Sequence, residues 1–114
     1  MLEEWKQEEF RPKLTFIIKE NYDSFDDVED QLRGVHCFIC TLGTRQKEGK
    51  DVFTQVDYQY PLNFATLAKK LAVPHFILLT SSGANPDSMF FYMKTKGNVE
   101  RDVKALELQK LSIF

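Results

Sequence analysis

The sequence predicts an α/β fold built on a parallel sheet, and two features of the chain lead to this prediction. Short runs rich in β-branched and aromatic residues alternate with longer stretches whose apolar residues recur at helical spacing. Such alternation is typical of right-handed β-α-β crossovers, which build a parallel sheet covered by helices. We therefore expect one doubly wound domain with three layers, α/β/α, and the element order β-α-β-α-β-α-β over residues 13–114.

Four runs are predicted to be strands, because each is short, apolar and bounded by turn-forming residues. They are residues 14–18, 35–41, 75–80 and 111–114. The second and third runs are almost continuously apolar, which is typical of parallel strands covered on both faces.

Three helices are predicted between these strands. The first is short, begins after a Ser24 or Asp26 cap and ends at Gly34, a usual residue type just beyond a helix. The second covers residues 51–71, where apolar residues recur at helical spacing, and is expected to kink at Pro61, which lacks a backbone donor. The third covers residues 88–106.

Composition excludes several classes of function. The 114 residues include 15 Lys and Arg against 17 Asp and Glu, so the net charge of −2 provides no basic field for nucleic acid. No apolar run approaches the length of a membrane span, and the first residues lack the features of a secretory signal. We expect a cytoplasmic protein, with residues 1–12 forming a charged segment of at most one or two helical turns.

The third predicted helix carries the strongest candidates for chemistry. Tyr92 and Lys96 are four residues apart, so their side chains project from one face of the helix. A cation near a phenol favours the phenolate, which suits the phenol to proton transfer. This spacing alone is weak, since an exposed aromatic residue and a solvated lysine would share it.

Two loops follow the central strands at the edge where parallel α/β sheets bind ligands. Ser81 and Ser82 end the third predicted strand, and either hydroxyl could donate a hydrogen bond to a carbonyl. Gly43 follows the second strand and allows close approach of a ligand, although a plain turn would also explain it. The order strand, Ser-Ser-Gly, Tyr-x-x-x-Lys strengthens the catalytic interpretation.

Cys37 and Cys40 have the spacing of a redox or zinc motif, but a strand would direct the two thiols to opposite faces. No second cysteine pair completes a zinc site. We predict two inert thiols, and structural roles for His36 and His75.

The chain resembles the short-chain dehydrogenase/reductase superfamily, within the atypical branch that contains the Tat-interactive oxidoreductase family. The resemblance covers roughly residues 20–114. It is carried by Gly34 to Thr44, Val56-Asp57, His75-Phe76, Leu79 to Ala84, Phe91-Tyr92, Lys96-Gly97, Val99-Glu100 and Ser112-Ile113-Phe114.

The resemblance implies a Rossmann-like fold, NADP(H) as the cofactor, with NAD as the alternative, and a small carbonyl substrate. It implies that Tyr92 is the catalytic acid and base and that Lys96 favours its phenolate and contacts the nicotinamide ribose. Ser82 would orient the substrate carbonyl, with Ser81 as the alternative. The residues beside the cofactor would be Leu42, Gly43, Thr44 and, near the adenine, Asn21.

The glycine-rich phosphate-binding turn of the superfamily is not found in this sequence. The five glycines are too widely spaced for its fingerprint, so we expect an incomplete domain that is inactive alone. The resemblance and the missing strands leave two alternatives to an oxidoreductase. One is a non-catalytic interaction module with nuclear-transport or transcription-related partners, which would add a nuclear location. The other is an inactive truncated isoform that forms homo-oligomers through exposed sheet surface.

Overall fold

The computed structural model describes residues 14–114, so the charged segment expected at residues 1–12 lies outside the described residues. The elements in chain order are α1 Glu29–Leu32, β1 Cys37–Cys40, a 3-10 turn Gln46–Glu48, α2 Lys50–Thr54, a π-helical segment Gln55–Gln59, α3 Tyr60–Lys70, β2 His75–Leu78, α4 Phe91–Ala105 and β3 Leu111–Ile113. Strands and helices alternate from β1 onward, which confirms the predicted α/β class and a partial Rossmann-like fold.

The sheet is parallel throughout, with the strand order β1-β2-β3. Phe38 lies opposite Phe76, which in turn lies opposite Leu111, so these three side chains share one face of the sheet. On the other face, His75 Nε2 and Ser112 Oγ are 2.8 Å apart and join β2 to β3. His75 therefore has a structural partner in the sheet.

One apolar core joins this sheet face to α3 and α4. Its buried members are Phe38, Cys40, Ala65, Leu67, Ala68, Val73, Phe76, Leu78, Val99 and Val103. Both crossovers move the chain in the same direction along the sheet, and right-handed connections of that kind bring their helices to one face. The opposite face is partly open, and Ile39 is 62% exposed there. Within residues 14–114 the three-layer arrangement is therefore present only in part.

Residues 50–70 form one continuous helical stretch with a π-helical segment in the middle. The N–H of Tyr60 donates to the carbonyl of Gln55, five residues back. Pro61 follows directly, and it has no N–H to donate and a ring that would clash with the carbonyl four residues back in an α-helix. The structure thus places a wider π turn directly before the proline at which a kink was predicted.

The predicted strand at residues 14–18 is wrong. The segment has no regular structure, and Ile18 is 90% exposed. A strand needs a neighbour for its backbone hydrogen bonds, and β1 pairs only with β2 within the described sheet. The β propensity of the run could not reveal this missing neighbour.

The remaining elements are shorter than predicted. Ser24 accepts a hydrogen bond from the N–H of Asp26 at 3.2 Å, and so stabilises the turn before α1 rather than α1 itself. Gly34 follows α1 with a left-handed φ of 78°, as expected of a glycine after a helix. Ser88 forms a local hydrogen bond with the N–H of Phe90 at 3.1 Å, and α4 begins only afterwards.

None of the helices in residues 14–114 is long and apolar enough to cross a membrane.

Candidate functional site

The carboxyl ends of β1 and β2 meet at one edge of the sheet because the strands are parallel. The loop after β1 contains Gly43 and Thr44, and the loop after β2 contains Ser81 and leads to α4. This is the edge at which ligands bind in open α/β sheets.

Lys96 is a buried cation on α4, with only 7% of its side chain exposed. Its Nζ lies 2.5 Å from Oδ1 of Asp57, whose side chain is 1% exposed. The approach is not along an ordinary hydrogen-bond direction, so Oδ1 receives charge compensation without a hydrogen-bond donor. A buried charge is tolerated when it is paired, and each of these two groups neutralises the other.

The second oxygen of Asp57 binds the loop after β1. Oδ2 accepts a hydrogen bond from the backbone N–H of Thr44 at 2.9 Å. A Cβ built on Gly43 would lie 3.5 Å from Oδ1 of the same carboxylate. One carboxylate therefore holds both the loop after β1 and the lysine of α4.

Asp57 had no predicted role, although it belongs to the Val56-Asp57 pair that carries part of the family resemblance. A sequence feature could have drawn attention to it. Phe53, Asp57 and Tyr60 are spaced for one helix face, and the structure buries all three. A charged residue on an otherwise apolar helix face needs a partner, but the spacing does not say which one.

Tyr92 lies beside Lys96, as the four-residue spacing predicts. Lys96 Nζ is 5.9 Å from the centroid of the half-buried Tyr92 ring. The Tyr92 ring also packs beside an aromatic residue, since the centroids of the Phe53 and Tyr92 rings are 5.2 Å apart. The structure thus brings together a phenol, an ammonium group and a carboxylate at the edge of the sheet.

The two candidate serines differ in their surroundings. The N–H of Ala84 donates to the carbonyl of Ser81 at 3.2 Å, closing a tight turn with Ser82 exposed and Gly83 at a φ of 84°. The hydroxyl of Ser81 is half-buried and lies 3.9 Å from Sδ of Met93, next to Tyr92 in the chain. Ser81 is therefore turned toward α4, whereas Ser82 faces solvent.

Of the two remaining candidates, Leu42 lines a separate cavity and Asn21 does not. Leu42 and Tyr22 both line this cavity, which has a volume of about 290 Å³ and mainly apolar walls. Asn21 is exposed, and its Oδ1 accepts the N–H of Asp23 at 3.1 Å. The side chain of Asn21 is thus engaged in a local turn, while its neighbour Tyr22 contributes to the cavity.

The two cysteines lie on opposite faces of β1, as predicted for a strand. Cys37 is exposed and Cys40 is buried. Burial raises the pKa of the Cys40 thiol, and a backbone hydrogen bond at Leu42 and, second, the Lys96 charge offset this in part. Residues 14–114 contain no cluster of three His, Cys, Asp or Glu side chains that could hold a metal ion.

A dinucleotide cofactor would meet suitable groups of this sheet edge at one of its ends only. Gly43 leaves backbone accessible beside the ion pair, and Thr80 Oγ1 is buried at the end of β2 with no hydrogen-bond partner among the described residues. The pyrophosphate end has no corresponding site, because Gly43 and Gly49 are the only glycines in the loop after β1 and do not form the phosphate-binding fingerprint.

Comparison with known proteins identifies relatives of this chain. No protein-family model matches it. It is 40% identical over 95 residues to Protein HTATIP2 of Rattus norvegicus, a match that covers 82% of this chain and 39% of that protein. It is 32% identical over 107 residues to mitochondrial Protein FMP52 of Debaryomyces hansenii, covering 91% of this chain and 47% of that protein.

The chain is homologous to part of HTATIP2 and FMP52. FMP52 of Saccharomyces cerevisiae is a further relative, 42% identical over 66 residues that make up 58% of this chain and 29% of that protein. The chain thus spans less than half the length of these curated relatives. The matches to HTATIP2 and FMP52 support the family resemblance at the level of homology.

Proposed function

We propose that this chain carries the proton-transfer part of an NADP(H)-dependent oxidoreductase of the short-chain dehydrogenase/reductase superfamily. The observation that carries the proposal is the buried Lys96, which is held beside the Tyr92 ring at the carboxyl edge of a parallel sheet. Homology to HTATIP2 and FMP52 supports it. A bound nicotinamide cofactor would supply or accept the hydride, and NAD is the alternative to NADP.

The residues of the chain would divide the proton chemistry among them. Tyr92 would exchange a proton between its hydroxyl and the oxygen of a small carbonyl or alcohol substrate. Lys96 would keep a positive charge beside the phenol and donate a hydrogen bond to the nicotinamide ribose. Ser82, or Ser81 after a change of side-chain rotamer, would donate a hydrogen bond to the substrate oxygen.

The loop after β1 would lie along the cofactor. Gly43 offers backbone without a side chain, and Leu42 and Thr44 flank it. Thr80 adds a buried hydroxyl at the end of the neighbouring strand. Asn21 would have to leave its local turn to reach the adenine. Because the chain has no phosphate-binding turn, we expect its own cofactor affinity to be weak.

The experiment is a fluorescence titration of the full chain with NADPH. We expect saturable binding by the wild-type chain, and loss of binding in Lys96→Met, because the cationic donor to the ribose is removed. Lys104→Met is the matched control, since Lys104 is an exposed lysine on the same helix. Absence of saturable binding up to about 1 mM NADPH, where the binding free energy is only about −4 kcal/mol, would contradict the proposal for this chain.

A protein-interaction module is the second candidate function. The specific observation in its favour is exposed apolar surface, including Ile39 on the open sheet face and, in the loop before α4, Met89 at 99% and Phe90 at 76% exposure. Sedimentation of the wild-type chain and of Ile39→Lys tests self-association through the sheet face. Association that Ile39→Lys abolishes shows that the sheet face binds a protein, here a second copy of the chain, whereas a monomeric wild-type chain argues against the homo-oligomer.

The compartment is a separate proposal. The sequence predicts the cytoplasm and the family resemblance adds the nucleus, whereas the FMP52 relatives are named mitochondrial. Imaging of the chain with a fluorescent protein fused after Phe114 would distinguish these locations and leave the first residues unchanged.

A further inference from the structure

We propose that Asp57 is the positioning residue of Lys96, and that it acts by binding the lysine ammonium and the Thr44 amide with its two carboxylate oxygens. The inference rests on the proposed function, because that function gives Lys96 its task at the cofactor. It adds Asp57 to the site as the residue that fixes the orientation of the Lys96 side chain.

The Asp57 carboxylate is buried. Asp57 is 1% exposed, so water cannot compensate its charge. The compensation comes instead from Lys96 Nζ at 2.5 Å and from the Thr44 N–H at 2.9 Å. A lysine side chain has a long flexible stem, and an isolated one would adopt many rotamers. The carboxylate selects one of them.

Asp57 lies where the helical stretch departs from α-helical geometry. It is the central residue of the π-helical segment Gln55–Gln59. A π turn holds one residue more than an α turn, so it changes the direction in which side chains leave the helix. Such turns are frequent at functional sites. We infer that the π-helical segment directs this carboxylate toward the sheet edge.

The carboxylate joins two separate parts of the chain. Thr44 belongs to the loop after β1, whereas Lys96 belongs to the helix after β2. These two parts of the chain would contact the same cofactor from different strands. A single carboxylate between them fixes the cofactor loop and the proton-transfer helix relative to each other.

The test measures the reactivity of Lys96 directly. The full chain is treated with a limiting amount of acetic anhydride in native buffer, and acetylation of each lysine is measured by mass spectrometry. Asp57→Asn keeps an oxygen that can accept the Thr44 N–H and removes the charge that binds Lys96. We expect Lys96 to be protected in the wild-type chain and to be acetylated several times faster in Asp57→Asn, relative to the exposed Lys104.

Tyr58→Phe is the matched control. Tyr58 is the next residue in the same π-helical segment, and its hydroxyl donates a hydrogen bond to Asp102 of α4 at 2.5 Å. The control therefore removes a neighbouring link between the same two elements and leaves the Asp57 carboxylate intact. We expect Lys96 to stay protected in Tyr58→Phe. Equal acetylation of Lys96 in a folded Asp57→Asn variant and in the wild-type chain would overturn the inference.

Two further measurements test the inference if Asp57→Asn does not fold. The buried Cys40 thiol reports on folding, because it should react with a thiol reagent only when the core opens. If Asp57→Asn exposes Cys40, the double variant Asp57→Asn/Lys96→Met replaces it. Breaking a buried ion pair leaves one charge uncompensated, whereas replacing both partners removes that problem. The double variant should then protect Cys40 from the thiol reagent in native buffer, because no uncompensated charge remains in the core. A Cys40 that reacts as fast in the double variant as in Asp57→Asn would overturn the inference.

NADPH binding separates this inference from the proposed function. If the wild-type chain binds NADPH, we expect Asp57→Asn to weaken binding several-fold and Tyr58→Phe to leave it unchanged. If the wild-type chain binds no NADPH, the proposed function fails for this chain, while lysine acetylation still decides whether Asp57 positions Lys96.

Discussion

Gly97 of α4 lies against the backbone of Pro86 in the loop that precedes this helix. A Cβ built on Gly97 would be 2.1 Å from the nitrogen of Pro86 and 2.2 Å from the carbonyl carbon of Asn85. The same loop is held to the helix by the N–H of Asn85, which donates to the carbonyl of Met93 at 3.0 Å. The absence of a side chain at Gly97 therefore lets the loop pack directly onto the helix that carries Lys96.

Gly97→Ala is predicted to destabilise the chain. In a helix interior alanine is more favourable than glycine by about 1 kcal/mol of helix propensity, so the substitution would stabilise an unhindered helix. Here the added methyl group must displace backbone, and overpacking of this kind costs about 1–3 kcal/mol. Urea unfolding followed by circular dichroism should show a lower free energy of unfolding. Lys104→Ala, on the exposed side of α4, serves as the control, and a Gly97→Ala variant as stable as that control would refute the close packing.

The contact between Tyr58 and Asp102 predicts a pH dependence of stability. The Arg101 guanidinium and, second, the Tyr58 hydroxyl hold the pKa of the Asp102 carboxyl below its ordinary value of 3.8. A lowered folded-state pKa contributes stability above pH 3.8, and this contribution is lost as the pH falls through the lowered value. The stability difference between wild type and Asp102→Asn should therefore be largest near neutrality and shrink in acid.

Urea unfolding at a series of pH values checks this prediction. The Asp102 side chain is 28% exposed, so solvent screening should keep the difference small. A difference between the two chains that is constant from neutrality to well below pH 3.8 would contradict a lowered pKa of the Asp102 carboxyl in the folded chain.

The two thiols are predicted to react at very different rates. Cys37 is exposed, whereas burial of Cys40 shields its thiol and raises its pKa, so that little reactive thiolate forms. In native buffer a disulfide-exchange reagent should modify one thiol rapidly, and in urea it should modify both. Cys37→Ser should abolish the rapid phase. Two thiols that react at equal rates in native buffer would be inconsistent with the assignment of Cys40 to the core.

The features predicted correctly from the sequence are those that depend on local composition. The apolar runs that contain Phe38 and Phe76 predicted parallel strands, and the helical spacing from Asp51 onward predicted the long helical stretch. Gly34 marked the end of α1. In each case the chain's own neighbouring residues decide the structure, so their pattern carries the information.

The features that were missed depend on residues far apart in the chain. The run at residues 14–18 has the composition of a strand, but strand formation requires a partner that propensity does not reveal. The pairing of Asp57 with Lys96 depends on how α4 packs beside the π-helical segment. The sequence predicted that Tyr92 and Lys96 share a helix face, because that relationship lies within one helix.

Phe64 is predicted to stabilise the junction between α3, the sheet and the segment before α1. Its ring stacks on the rings of Phe38 and Phe25, with centroids 4.3 Å and 5.4 Å apart. It also meets the Phe76 ring edge-on, at a centroid distance of 5.6 Å. Phe64→Ala should lower the free energy of unfolding by about 3 kcal/mol, the lower end for buried phenylalanine, because Phe64 is only half-buried. Phe90→Ala is the control, since Phe90 is 76% exposed and its loss should change stability by less than about 0.5 kcal/mol. If urea unfolding shows similar losses for the two variants, the stacked rings do not form the junction that fixes the first described segment against the core.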